Sequence, residues 1–167
     1  AGGRAAALDG FAKLCDRMAT ETGEAYPQRL RYLAVLHHAL CHHEGDDAAS
    51  ARRLYTQALE YAAAVDDPAG QACALWHISS LDCAEGDTIR MIETLHKALR
   101  IKDIPPFALA RCRTDAVTGY LALWRNEDVI AGANETSKLW RSSTLPGPQD
   151  DKSLCLIQME VSAFEAA

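Results

Sequence analysis

The chain has 167 residues, 49% of them apolar and 24% charged, which suits one compact domain or a short repeat array with a substantial core. Seventeen Lys and Arg against 23 Asp and Glu give a net charge of −6, and no basic block interleaves with aromatics, so a phosphate-tracking nucleic-acid surface is not expected. No run of about 18 apolar residues and no signal-peptide layout occur, so neither a membrane span nor a membrane partner is expected.

Val, Ile and Thr never alternate strictly, whereas Ala and Leu recur at i, i+3 and i+4; the expected fold class is therefore all-α. In chain order, helices are expected at about 4–21, 28–44, 48–64, 69–84, 88–101, 106–124, 127–142 and 151–165. Short turns separate some of them: "EGDD" at 44–47, "EGDT" at 85–88 and "RNED" at 125–128. Gly45 and Gly86 suit the left-handed residue that ends a helix, and the aspartates behind them suit the N-cap of the next. Longer breaks containing proline lie at 65–70, 102–106 and 143–151. The first residue is not Met and the last segment stops within an apolar pattern, so the chain reads as a piece of a larger protein. It reads as a single helical-repeat domain over 1–167, with units near 28–66, 69–104 and 106–143, a leading helix 4–21 and a trailing helix 151–165.

A forty-residue step brings Ala39, Ser79 and Gly119 into register, then Ala58, Ala98 and Lys138, then Leu59, Leu99 and Leu139. Small residues at one point allow close helix approach, and the recurring Leu anchors a second helix. In this register the third unit has Asn126 in place of the glycine and Lys138 in place of the alanine. With Ser79 seven residues before Gly86, and the pairs Ala58–Leu59 and Ala98–Leu99 closing second helices, the chain resembles tetratricopeptide repeats of the extended, forty-residue kind. In general style it is also similar to the repeat regions of STAND-type NTPases and of multidomain bacterial regulators. The family resemblance implies a superhelix of antiparallel hairpins that acts as an interaction scaffold.

The histidine-rich stretch "HHALCHH" raises the question of a metal site. On a helical wheel with Leu33 at 0°, Leu36 and Leu40 fall near 300° and 340° as an apolar stripe, while Arg31, His38 and His42 cluster at about 140–180°. His37 and Cys41 lie on the stripe's flank, and His43 belongs to neither group, so one ion cannot gather them all. His38 and His42 remain weak metal candidates that would need donors such as Cys73 or His77. No cofactor is expected, and no metal beyond that weak candidate pair.

No GxSxG, GxxxxGK[ST] or GxGxxG motif is present. The carboxylate pairs Asp46–Asp47, Asp66–Asp67 and Asp150–Asp151 are better explained as turns and caps than as paired catalytic acids. An enzyme is not expected. The six cysteines form no CxxC pair and read as small reduced hydrophobes of a cytoplasmic or nuclear protein. Trp76, Trp124 and Trp140 are all expected to serve the core, with Trp76 a possible groove anchor.

The leading expectation is a non-catalytic protein–protein interaction or regulatory module, with a protein or peptide partner that can be another domain of the same chain. Its groove would lie on helices 28–44, 69–84 and 106–124 and use Arg31, His38, His42, Trp76, His77 and Arg113. A peptide- or small-ligand-sensing domain of a transcriptional regulator is the competing expectation, and a metal-responsive helical domain a weaker one.

Overall fold

A computed structural model of the chain describes residues 2–20, 27–141 and 149–166. It consists of the helices α1 (Gly2–Thr20), α2 (Gln28–His43), α3 (Ala48–Ala64), α4 (Pro68–Ala84), α5 (Thr88–Leu99), α6 (Pro106–Ala122), α7 (Asn126–Arg141) and α8 (Gln149–Glu165). No strand occurs among the described residues, and no helix there is long and apolar enough to cross a membrane. The all-α expectation holds, and every helix boundary lies within two residues of the one read from sequence. Most of the expected break at 143–151 falls outside the described residues.

Four of the turns are closed in the same way. A residue with positive φ ends the helix at Asp46 (60°), Asp66 (52°), Gly86 (79°) and Trp124 (58°). The next residue's N–H then reaches back to a carbonyl five residues earlier: Asp47 to His42, Asp67 to Ala62, Asp87 to Asp82 and Arg125 to Tyr120, at 2.9–3.0 Å. This is a Schellman closure, and it satisfies carbonyls that the helix end would leave bare. The same residue's carbonyl accepts the first bond of the following helix, so each connection takes only three or four residues. At three of the turns that residue is aspartate, and its side chain caps the new helix by accepting from Ser50 N–H, Gly70 N–H or Arg90 N–H. Each such cap contributes about 1 kcal/mol.

These turns correct the register. The left-handed positions 46, 86 and 124 and the second-helix starts 48, 88 and 126 are spaced by forty and then by thirty-eight. The third unit is therefore two residues shorter than a forty-residue step assumes. Trp124, not Asn126, stands in the glycine's place, and buried Thr136 rather than exposed Lys138 corresponds to Ala98. Gly45 is not left-handed; Asp46 beside it takes that role.

The chain divides into two compact units, residues 1–81 and 82–167, so the last turn of α4 belongs to the second. In the first, α2 contributes Tyr32, Val35, Leu36 and Ala39, and α3 contributes Ala51, Leu54, Tyr55, Ala58 and Ala62, to one core with Leu81 of α4. Small side chains set the spacing: a Cβ on Gly70 would meet the Ala62 Cβ at 3.0 Å. The expected apolar stripe of α2 is only half right. Leu36 is buried, but Leu33 is 39% exposed and shares the open side with Leu30. The helix turns its alanines, Val35 and Tyr32 inward because close approach on that side buries more backbone and ring than Leu33 would.

In the second unit α5 and α6 meet at Gly119, where an added Cβ would lie 2.7 Å from Met91 Cε and 2.8 Å from Ile92 Cγ1. Val117, Val129, Ala133 and Met159 join α6, α7 and α8 in a core. Ala110, Trp140 and Cys155 form another, with Phe107 set edge-on to Trp140 at 5.8 Å. Trp140 is 2% exposed and donates its indole N–H to Thr114 Oγ1 at 2.9 Å, as a buried indole must find a partner. Trp124, expected in the core as well, is 86% exposed; its place is the turn, where no neighbour can close over it.

Candidate functional site

The histidines of α2 separate into three local arrangements. His37 stacks on Phe11 of α1, with ring centroids 5.7 Å apart and planes 15° apart. His38 and His42, one turn apart, bring their Nε2 atoms to 3.2 Å, and His42 Nδ1 lies 2.9 Å from Asp47 Oδ2. His43 Nδ1 lies 3.1 Å from the Tyr55 hydroxyl. The wheel positions of His38 and His42 made them neighbours, as the structure places them. They are half-buried, because α2 is packed over most of its circumference.

With both rings neutral, the Asp47–His42–His38 chain assigns the donors: Asp47 can only accept, so His42 donates from Nδ1 and its Nε2 accepts from His38 Nε2–H. His38 Nδ1 is then an unprotonated nitrogen, buried and with no hydrogen-bond partner among the described residues. Burial, then the neighbouring His42 and Arg53, lower the His38 pKa against the opposing pull of Asp16. Asp47 is held low chiefly by its bonds to Ser50. His42 therefore presents no free basic nitrogen to a substrate.

Trp76 and His77 fall in a different group. His77 lies flat on the Tyr55 ring, 4.9 Å between centroids and 3° between planes, and the adjacent Trp76 ring is 4.7 Å away, tilted by 51°. Burial, with the neighbouring His43, pushes the His77 imidazole down to about 4. Burial also raises the Tyr55 phenol and the Cys73 thiol, the latter opposed by a hydrogen bond with Tyr32. His77 is thus a neutral ring in an aromatic stack. Of the donors suggested for a metal clamp, His77 is engaged in that stack and Cys73 with Tyr32. Among the described residues no group of three or more His, Cys, Asp or Glu could hold a metal ion.

Arg31 on α2 is half-buried, with Nε shielded from solvent and without a hydrogen-bond partner among the described residues. Arg113 belongs to the second unit, where it donates to Glu135 at 3.1 Å between α6 and α7. The six candidate residues thus include one hydrogen-bonded pair, one tilted ring pair and two arginines in separate settings. All six cysteines are free thiols.

Two features of the second unit were not singled out from sequence. Asp82, fully buried at the end of α4, accepts from Arg90 Nε at 2.7 Å and from the Thr94 hydroxyl at 3.0 Å, and Arg90 also pairs with Glu85. This network ties the last turn of α4 to α5. The other feature is the Trp124 turn. Aligning the turns themselves, instead of the helices at a fixed step, would have shown a tryptophan where Asp or Gly stands elsewhere. Neither a known protein family nor a curated protein matches this chain.

Proposed function

We propose that the chain is a tetratricopeptide-like interaction module, a non-catalytic regulatory or scaffolding part of a larger protein that holds a protein or peptide partner. The observation that carries this reading is the recurrence of one connection: helix, left-handed residue, N-cap, helix, at Asp46–Asp47, Gly86–Asp87 and Trp124–Arg125. Hairpins joined this way can be stacked, and stacked hairpins offer extended surface without a deep cavity. Ala39 and Ser79, each seven residues before the left-handed position, are buried small residues, and so are Ala58 and Ala98 on the second helices, in keeping with the spacing of that family. The half-buried imidazoles support a non-catalytic reading, since each basic nitrogen of the Asp47–His42–His38 chain is either bonded or shielded.

The test is to pan a twelve-residue peptide library on the full chain and measure synthetic copies by calorimetry. Binders with Kd of about 100 μM or tighter, roughly −5.5 kcal/mol, support the reading. No specific binder from the library contradicts it.

A further inference from the structure

One turn departs from the other three that share its closure. At Asp46–Asp47, Asp66–Asp67 and Gly86–Asp87 the first residue tolerates positive φ and the second caps the next helix. At Trp124–Arg125 neither holds: a bulky side chain sits at φ 58°, where it is an outlier, and an arginine side chain has no acceptor for an N–H. Arg125 is drawn back over the Tyr120 ring, 4.9 Å from its centroid, and pairs with Asp128 at 2.7 Å. The indole is left 86% exposed. Nothing in the fold requires an indole at this position.

Leu123, the residue before it, lines a shallow open groove with Gly86, Asp87, Thr88 and Ile89, and Ile89 is itself 62% exposed. An exposed indole and an exposed isoleucine thus belong to one end of the second unit. The charge there is one-sided: Glu85, Asp87, Glu127 and Asp128 are exposed carboxylates against the two guanidiniums of Arg90 and Arg125. Large aromatics at strained, exposed positions are the kind of group that anchors a partner, and the surplus of carboxylates selects its charge.

We propose that the Trp124 turn, with Leu123 and Ile89, is a docking surface for a basic-apolar segment of a partner protein. An aliphatic side chain of that segment lies against Trp124, Leu123 and Ile89, while a neighbouring Lys or Arg meets the carboxylates and the indole face. The inference rests on reading the chain as an interaction module and adds the partner's chemistry. The same carboxylates disfavour an anionic lipid surface.

The test uses the full chain and Trp124→Gly, a change that glycine accommodates at this φ, so that the variant keeps its fold. Peptides panned on the wild-type chain should pair Lys or Arg with Leu or Ile. A synthetic copy should shift the Trp124 indole N–H resonance and leave those of Trp76 and Trp140 in place. It should bind Trp124→Gly about tenfold more weakly or worse, and Glu127→Lys several-fold more weakly. Equal affinity for wild type and Trp124→Gly, or selection of acidic peptides, overturns the docking surface and leaves the interaction reading intact. No enrichment on either form removes both. A Trp124 shift produced by phosphatidylcholine–phosphatidylserine vesicles, with none from the peptides, assigns the surface to a membrane and overturns the proposal.

Discussion

The two units use the same hairpin but keep different polar chemistry in their interiors. In the first, shielded imidazoles and phenols are held neutral: His77 on Tyr55, and His38 bonded to His42. In the second, the central group is the buried Asp82, matched by Arg90 and Thr94. A neutral interior resists charging and is exposed to acid; an interior organised on a carboxylate depends on its partners. The units should therefore fail under different challenges.

The sharpest way to break that contrast is at Asp82. Asp82→Ala strands the Thr94 hydroxyl and frees Arg90 from the end of α4, and it should cost about 3 kcal/mol in urea unfolding at pH 7. A loss below about 1 kcal/mol would mean the network is incidental.

Acid probes the first unit. The folded His77 titrates near 4, below its unfolded value near 6.5, so its neutral stack stabilises fully above about pH 6.5 and that stability drains as pH falls toward 4. The loss should approach about 2–3 kcal/mol over that window. Urea unfolding at pH 7, 5 and 4 should show this fall in the wild type and a flatter profile in His77→Phe; parallel profiles would contradict it.

A smaller effect tests the helix contact of the second unit. Gly119→Ala places a Cβ within 3 Å of Met91 and Ile92. The clash should outweigh the better helix propensity of alanine, for a net loss of about 1–2 kcal/mol. A gain would show that α5 and α6 separate freely there.

Much of the fold was legible because Ala and Leu mark the helices at every turn, and because Gly86, Asp47, Asp87 and Pro106 punctuate them in the expected places. The register of the third unit was not legible. A two-residue shortening leaves the apolar pattern intact, and only the turn geometry moves, which puts Thr136 inside and Lys138 outside. The candidate site was harder still. The wheel gathered Arg31, His38 and His42 on one groove-lining face, yet a helix packed on several sides half-buries polar side chains there, and a partner such as Asp47 engages them. Trp124 looked like core because tryptophan usually is, as Trp140 confirms; its exposure follows from a turn position that hydrophobicity does not encode.

Those two tryptophans state the account in miniature: one completes the core, and the other occupies a strained position that contributes nothing to folding. The most direct measurement is the urea midpoint of Trp124→Gly against the wild type. Release of a non-glycine residue from φ 58°, less the entropy glycine adds to the unfolded chain, should raise stability by about 0.5–1 kcal/mol with an unchanged slope. A fall of about 1 kcal/mol or more would show that the indole is part of the fold, and would contradict the claim that it is held out for a partner.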